Sequence, residues 1–151
     1  PGRWTELFFL DEATALAAGH RPCAYCQRAR YEEFRSLWAR ANPELVSGPK
    51  PGAYEMDACL HSQRLDGCRQ RITYPATLGR LPDATFVVHN AEACLVRSLR
   101  LFPWRPDGYG APLQLPSESQ VSVLTPRSTV NTLAAGFEVQ IDTSSEQADD
   151  D

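Results

Sequence analysis

Apolar residues in the first half of the chain recur at helical spacing. Within residues 24–41, Tyr31, Phe34 and Trp38 fall three and four positions apart, so one face of the predicted helix packs and the opposite face meets water. Asp11 is a good N-cap for a shorter helix before it, and Gly19 stands where a left-handed residue would end that helix. The pattern predicts helices over residues 11–18, 24–41, 53–65 and 128–135.

Short runs of aliphatic and aromatic residues bounded by turn residues dominate the chain from residue 84 onward. Residues 72–82 are interrupted by Pro75, Gly79 and Pro82 and are predicted to be irregular. The predicted strands cover residues 4–10, 85–89, 93–97, 99–104, 120–124 and 137–141. The pattern indicates an α+β fold, in which an N-terminal strand and helices pack with a small C-terminal antiparallel β-sheet or partial barrel.

Length and composition indicate a folded chain with one core or two small subdomains. The chain has 151 residues, of which 42% are hydrophobic. We predict a helical subdomain over residues 1–72, a β-rich subdomain over residues 73–143 and a disordered acidic tail over residues 144–151. No apolar run approaches the length that a transmembrane helix needs, and the first residues lack a signal-peptide pattern, so we expect a cytoplasmic protein with no membrane partner.

The charged residues permit nucleic-acid binding without requiring it. The formal net charge is −4, and four acidic residues of the tail account for it. Fourteen of the fifteen basic residues are arginines, and arginine suits planar contact with phosphate. Genomic base composition alone also produces such a bias. The arginines that we predict to contact nucleic-acid phosphates are Arg21, Arg28, Arg30, Arg64, Arg69 and Arg71.

Cys23 and Cys26 form a C-x-x-C pair, which is the most suggestive motif for chemistry in the chain. Two thiolates at this spacing can each lie about 2.3 Å from one tetrahedral zinc ion. The alternative is two half-buried thiols at the start of a helix. Five cysteines is an odd number, and their uneven distribution does not indicate a disulfide framework.

The segment around this pair resembles a known metal-binding module. Over about residues 7–26, an aromatic strand, a short helix ending in Ala18-Gly19 and the run Arg21-Pro22-Cys23-x-x-Cys26 are similar to the C-terminal half of the metal-binding module of the Ada DNA-repair protein. This Ada-like resemblance implies a zinc site completed by two cysteines upstream of the pair. The present chain has no cysteine before Cys23. The missing ligands were therefore removed with an upstream segment, or other residues replace them, or the site is degenerate and binds no metal.

The whole chain also resembles a bacterial family whose function is unassigned. The motifs that carry this resemblance are Leu60-His61-x-x-Arg64-Leu65-Asp66-Gly67 and Val123-Leu124-Thr125-Pro126-x-Ser128-Thr129-Val130. It implies that the chain is related over its length to those proteins, and it implies no activity.

If other residues replace the missing cysteines at the C-x-x-C pair, the candidate metal ligands are His20, Cys59, His61 and Cys68.

A second cluster of chemical groups lies in the helix over residues 53–65. Asp57 and His61 stand four positions apart, and as a general acid/base pair beside Arg64 they would suit a metal-assisted phosphodiesterase. The same spacing also fits an ordinary surface hydrogen bond. The aromatic residues Phe102, Trp104 and Tyr109 suit either base stacking or a plug at the end of the sheet.

Three hypotheses follow from these observations. The first is a nucleic-acid-associated module derived from an Ada-like zinc site, which binds phosphates through arginines without turnover. The second is a phosphodiesterase or nuclease that uses His61 and Asp57. The third is a structural protein-interaction domain in which the cysteines belong to the core.

Overall fold

A computed structural model describes residues 8–147 of the chain. Within this range the protein has five α-helices and a seven-stranded antiparallel sheet, which confirms the predicted α+β fold. The helices are α1 (Glu12–Ala17), α2 (Arg28–Ala41), α3 (Ala53–Arg64), α4 (Arg127–Ala134) and α5 (Ser144–Gln147). None of the helices in this range has both the length and the apolar character that a bilayer crossing requires.

The sheet is built from seven short strands. They are β1 (Tyr74–Thr77), β2 (Phe86–His89), β3 (Glu92–Arg97), β4 (Arg100–Arg105), β5 (Gly108–Tyr109), β6 (Leu113–Gln114) and β7 (Gln120–Val123). Their order in the sheet is β1-β7-β2-β3-β4-β5, and β6 also pairs with β4. Strand β1 therefore lies at one edge of the sheet, and the β2, β3 and β4 hairpins form its centre.

Buried side chains of the central strands point alternately to the two faces of the sheet and form two separate clusters. Phe86, Leu95 and Phe102 stand in register across β2, β3 and β4, and all three pack with the helices. Their neighbours Val87 and Leu101 belong to a second cluster of buried residues. Because successive side chains of a strand point to opposite faces, the same strands supply both clusters.

The helices pack on the first of these faces through buried aromatic residues. Phe34 and Trp38 of α2 are fully buried. The ring of Phe34 meets that of Phe137 edge to face, with centroids 5.2 Å apart. Residues from the predicted helical and β-rich subdomains thus share one cluster of buried side chains.

Asp11 links the start of α1 to the sheet. Its Oδ1 accepts a hydrogen bond of 2.8 Å from the backbone N–H of Thr14, so Asp11 is the N-cap that the sequence predicts. Its Oδ2 accepts a hydrogen bond of 2.7 Å from the hydroxyl of Tyr109 and one of 3.0 Å from the backbone N–H of Asp142. This carboxylate fixes α1 relative to both β5 and the C-terminal segment.

Several elements differ from those that the sequence predicts. Residues 74–77 form a strand although Pro75 lies within it, because β1 is an edge strand and an edge tolerates the missing N–H of proline. Residues 137–141 form no strand. Instead, Gln140 exchanges hydrogen bonds with Glu12, from its backbone N–H to the carboxylate at 2.9 Å and from the Glu12 N–H to its carbonyl at 3.2 Å.

The ends of the chain also differ from prediction. Residues 8–10 form no strand, and residues 4–7 of that predicted strand lie outside the described range. Residues 144–147 are helical rather than disordered, since Ser145 is buried and its hydroxyl oxygen accepts a hydrogen bond of 2.6 Å from Arg97. The rest of the predicted tail lies beyond the residues that the structure describes.

Candidate functional site

A cleft of about 390 Å³ lies between the C-terminal end of α1 and helix α3. It is lined by Gly19, His20, Arg21, Cys23, Asp57, His61 and Arg64. A second cleft of about 400 Å³ shares His20, Arg21 and Cys23 with the first and adds Cys26. The fold therefore brings the C-x-x-C segment and the Asp57 and His61 pair, which are more than thirty residues apart in the sequence, to one place.

Gly19 determines how closely the two walls approach. It ends α1 with φ +86°, which favours glycine, and its N–H donates to the carbonyl of Leu16 at 3.0 Å. A Cβ on this residue would lie 2.9 Å from Cδ of Arg64. The absence of a side chain thus lets the Arg64 side chain lie against the end of the helix.

Arg64 and Arg71 bind the free carbonyl groups at the end of α1. Nη1 of Arg64 donates to the carbonyl of Ala18, and Nη2 of Arg71 donates to the carbonyl of Ala17 at 2.6 Å. These carbonyls have no partner within their own helix, so positively charged donors suit them. Nε of Arg64 is buried and has no hydrogen-bond partner among the described residues.

Arg21 forms a two-point ion pair with Asp57 across the cleft. Nε lies 2.8 Å from Oδ1 of Asp57, and Nη2 lies 2.9 Å from Oδ2. The guanidinium also lies over the ring of Tyr31, 5.1 Å from its centroid. Both oxygens of Asp57 therefore contact Arg21, and the structure shows no contact between Asp57 and the imidazole of His61.

His20 lies half-buried in the cleft. Burial lowers the pKa of its imidazole, and the nearby charge of Arg64 lowers it further. The ring also contacts that of Phe9, with centroids 5.2 Å apart. At neutral pH, His20 therefore presents an uncharged ring that can donate one hydrogen bond and accept another. His61, by contrast, is exposed.

The other arginines predicted to contact phosphates lie outside the cleft. Arg30 binds Glu12 at 2.6 Å and lies over the ring of Phe137, and Arg28 binds Glu32 at 2.8 Å. These contacts stabilise α2 and its junction with α1 and the C-terminal segment. Arg69 is exposed on the turn after α3, where its φ is +60°.

Cys23 and Cys26 are both exposed and lie in a turn that precedes α2. The predicted helix begins four residues later than expected, at Arg28, because residues 24–27 form this turn instead. The backbone N–H groups of Cys26 and Tyr25 and the thiol of Cys26 lower the pKa of Cys23. The hydrogen bond with Cys23 in turn raises the pKa of Cys26. The two sulfurs are therefore close neighbours.

The described residues supply only part of a metal site. Among residues 8–147, no group of three or more histidine, cysteine, aspartate and glutamate side chains is placed to hold an ion. Cys59 is half-buried and Cys94 is buried, and burial raises the pKa of both thiols, that of Cys94 to about 11. The possible substitute ligands His20, Cys59, His61 and Cys68 therefore do not complete a metal site with Cys23 and Cys26 in this range.

The exposed aromatic residues differ from those that the sequence singles out. Phe102 and Tyr109 are buried, so they belong to the core at the end of the sheet. Tyr25 and Tyr54 are instead highly exposed. In the sequence, Tyr54 stands three residues before Asp57 and seven before His61. This helical spacing, which places Tyr54 on the polar face of the predicted helix over residues 53–65, is the sequence signal that could have identified it as exposed.

Comparison with known proteins finds no matching family model, no matching curated protein and no matching solved structure. The Ada-like resemblance of residues 7–26 therefore stays a prediction.

Proposed function

We propose that this chain binds the phosphate backbone of nucleic acid in the cleft between α1 and α3, without turnover. The observation that supports the proposal is the number of hydrogen-bond donors in the lining. Two guanidinium groups, Arg21 and Arg64, and two imidazoles, His20 and His61, face a single carboxylate, Asp57. This excess of donors suits an anion with several acceptor oxygens.

Arg64 provides the main argument for a phosphate ligand. Its Nη1 is occupied by the carbonyl of Ala18, whereas its Nε is buried without a partner in the part of the chain that the structure describes. An unsatisfied buried donor costs about 1–3 kcal/mol. A phosphate in the cleft would meet the guanidinium of Arg64, which is part of the lining, and would reach Nε only after a shift of the side chain.

Positive charge continues beyond the cleft along the end of α1. Arg71 contacts the same helix end as Arg64, and its pKa is lowered by burial and by the charge of Arg64. Arg69 lies exposed two residues before it. A phosphate chain leaving the cleft in this direction would meet further guanidinium groups.

Fluorescence anisotropy with labelled DNA and RNA, single- and double-stranded, tests the proposal at low salt. We expect Arg64→Gln to weaken binding and to reduce the slope of log K against log salt by about 0.7–0.9, the value for one lost phosphate contact. Arg64→Lys, which keeps the charge, should retain most of the slope. Arg80→Gln is the matched control, because Arg80 is exposed on a short turn after β1 and does not line the cleft. No binding of any probe would overturn the proposal.

Hydrolysis of a phosphodiester in the same cleft is the second candidate function. It is favoured by the presence of both His61 and Asp57 in the lining. The ion pair between Asp57 and Arg21 leaves His61 without that carboxylate as a partner. If the chain is a hydrolase, His61→Ala should abolish turnover and leave the melting temperature unchanged. A broad phosphoesterase screen without activity would contradict this candidate.

We also propose that Cys23 and Cys26 supply two ligands of a structural zinc ion in the cytoplasm, where thiols stay reduced. The support is that both thiols are exposed neighbours and that the pKa of Cys23 is lowered, chiefly by the backbone N–H of Cys26. The remaining ligands would come from outside residues 8–147. Elemental analysis of this chain, and of a longer form with any encoded upstream segment, should find one zinc per protein in at least one of them. The double variant Cys23→Ser, Cys26→Ser should lose it. Zinc in neither form would contradict the proposal.

A further inference from the structure

Exposed aromatic rings accompany the basic cleft. The large apolar side chains that are most exposed in the described range are Phe8 (88%), Tyr54 (87%) and Tyr25 (84%). Two of these, Tyr54 and Tyr25, belong to the two segments that form the walls of the cleft. Most other aromatic side chains of this range are buried or half-buried.

Tyr54 lies on the face of α3 that lines the cleft. It precedes Asp57 by three residues and His61 by seven, so the three side chains share one face of the helix. At 1.5 Å per residue, the Cα atoms of Tyr54 and His61 are separated by about 10 Å along the axis. Tyr54 thus stands about one helical turn before Asp57 on the same face of α3, just outside the residues that line the cleft.

Tyr25 belongs to the turn that follows the other wall. It stands between Cys23, which lines both clefts, and Cys26, which lines the second. The turn over residues 24–27 carries its ring outward, with 84% of the residue accessible. Neither tyrosine lines the clefts themselves, but each is exposed next to lining residues: Tyr25 beside Cys23 and Cys26 in the chain, and Tyr54 on the helix face of Asp57 and His61.

This combination of charge and rings distinguishes between forms of nucleic acid. Stacking of a base on an aromatic side chain stabilises a complex with a single strand, because its bases have free faces. In a duplex the base faces are already stacked on their neighbours, so exposed tyrosines beside a phosphate site have little to contact.

We infer that the cleft binds single-stranded nucleic acid, with phosphates against Arg64 and Arg21 and bases stacked on Tyr54 and Tyr25. This inference rests on the proposed function and adds to it the form of the ligand. Arginine and tyrosine contribute to the binding free energy of such a site in ways that can be measured separately. The contribution of an arginine–phosphate contact falls as the salt concentration rises, whereas that of base stacking on tyrosine depends on ring area and hardly on salt.

The test compares oligothymidine and oligouridine of about 12 nucleotides, a length within the range that one small domain covers, with a duplex of equal length. We expect both single strands to bind more tightly than the duplex. Tyr54→Ala should weaken single-strand binding by about five- to 150-fold, which corresponds to one lost stacking contact. The slope of log K against log salt should not change.

Controls separate stacking from other roles of the ring. Tyr54→Phe keeps the ring and should retain the affinity, and Tyr25→Ala and Tyr25→Phe should repeat the pattern. Leu113→Ala removes an exposed apolar side chain of the sheet edge, away from the cleft, and should have no effect. All of these positions are exposed, and the melting temperature of each variant checks that it folds.

The outcomes also separate this inference from the function on which it rests. Salt-dependent binding that prefers the duplex, or that Tyr54→Ala leaves unchanged, would overturn the single-strand inference while the phosphate-binding proposal stands. A Tyr54→Phe variant as weak as Tyr54→Ala would also overturn it, since the ring would then not be the source of affinity. No binding of any probe at low salt would overturn both.

Discussion

Asp57 illustrates how a single residue acquires a role that its sequence spacing does not reveal. Its position four residues before His61 indicates an acid/base pair, but both of its carboxylate oxygens contact Arg21, which lies 36 residues earlier. The ion pair holds the segment that contains Cys23 against α3. It also neutralises part of the positive charge in the cleft.

If the cleft binds nucleic acid as proposed, removal of this carboxylate should strengthen that binding. In the variant Asp57→Asn, the charge of Arg21 is no longer balanced, and one charge at about 4 Å from a phosphate contributes about 1–4 kcal/mol between the limits of water and a protein surface. We expect a gain of about five-fold or more at low salt in an anisotropy titration. Glu55→Gln is the control on the same helix, since Glu55 binds Ser47 and does not line the cleft. A weaker Asp57→Asn complex would indicate that Asp57 orients Arg21 for binding.

Tyr109 should contribute to stability through its hydroxyl. The residue is buried and donates to Asp11, the N-cap of α1. Tyr109→Phe removes a hydrogen bond to a carboxylate, and we expect a loss of about 1.5–3 kcal/mol in the free energy of unfolding, measured with urea. Tyr74→Phe is the comparison, because the half-buried Tyr74 hydroxyl has no hydrogen bond with any residue in the range 8–147 and the ring packs under Arg127. Equal losses would show that the bond to Asp11 contributes nothing.

The same tyrosine should make the protein sensitive to alkali. Burial, the charge of Asp11 and the hydrogen bond to it raise the pKa of Tyr109 well above its ordinary value of 10.0. Above pH 10.0 the unfolded chain loses this proton while the folded chain keeps it, so stability is complete below that pH and falls as the pH rises. We expect the melting temperature to fall more steeply above this pH in the unmodified protein than in Tyr109→Phe. Parallel curves of melting temperature against pH for the two proteins would contradict a role of Tyr109 in this loss of stability.

At the scale of elements, the C-terminal end of α1 determines the shape of the cleft. The helix has six residues, too few to be stable alone, and its last carbonyls bind Arg64 and Arg71 from α3 and the segment after it. The helix end and the basic wall of the cleft therefore depend on each other. Gly19 lies between the helix end and Arg64, so a substitution there would affect both the helix and the cleft.

Gly19→Ala should destabilise the protein and disturb the cleft. The positive φ of +86° costs about 1–2 kcal/mol for any L side chain, and the new Cβ would displace Arg64. Gly136→Ala is the matched control, because its φ is +108° but the space around it is open. We expect both variants to lose stability in urea and only Gly19→Ala to lose affinity for nucleic acid. Equal affinities would show that Arg64 adapts without leaving the proposed phosphate site.

At the scale of the whole molecule, the C-terminal segment closes the fold against the sheet. The N–H of Tyr109 donates to the hydroxyl of Ser144 at 2.9 Å, and the buried Ser145 hydroxyl donates to the carbonyl of Asp142 at 2.9 Å and accepts from Arg97 at 2.6 Å. Asp142 is itself bound to the N-cap of α1. These contacts join the start of the described chain to its end.

Ser145→Ala should therefore destabilise the protein as the substitution of a buried residue does, although the sequence predicts a disordered tail at this position. The change leaves Arg97 without this acceptor, and we expect a loss of about 1–3 kcal/mol in the free energy of unfolding. Ser36→Ala, at an exposed position of α2, should change stability by less than about 0.5 kcal/mol. If the two serines behave alike in urea unfolding, the C-terminal contacts do not stabilise the fold.

Local patterns in the sequence were sufficient for most of the elements. The spacing of Tyr31, Phe34 and Trp38 predicts α2, because such a periodicity reflects burial on one face. Short apolar runs bounded by turn residues predict the two strands of the central hairpin, over residues 85–89 and 93–97. The edge strand β1 and the helical turn at Ser144 were missed. Their stability comes from partners distant in the chain, and no local pattern records those partners.

The amino-acid sequence by itself determined the α+β class, the helical spacing of α2 and α3, the cap at Asp11 and the presence of two thiols three residues apart, since each depends on neighbours within a few positions. Only the tertiary structure decided that Arg21 binds Asp57, that Arg64 and Arg71 bind the end of α1, and that Tyr25 and Tyr54 remain exposed. The physical reason is that a binding surface depends on distances between side chains from different elements. Those distances are set by how the buried faces of the helices and the sheet pack together.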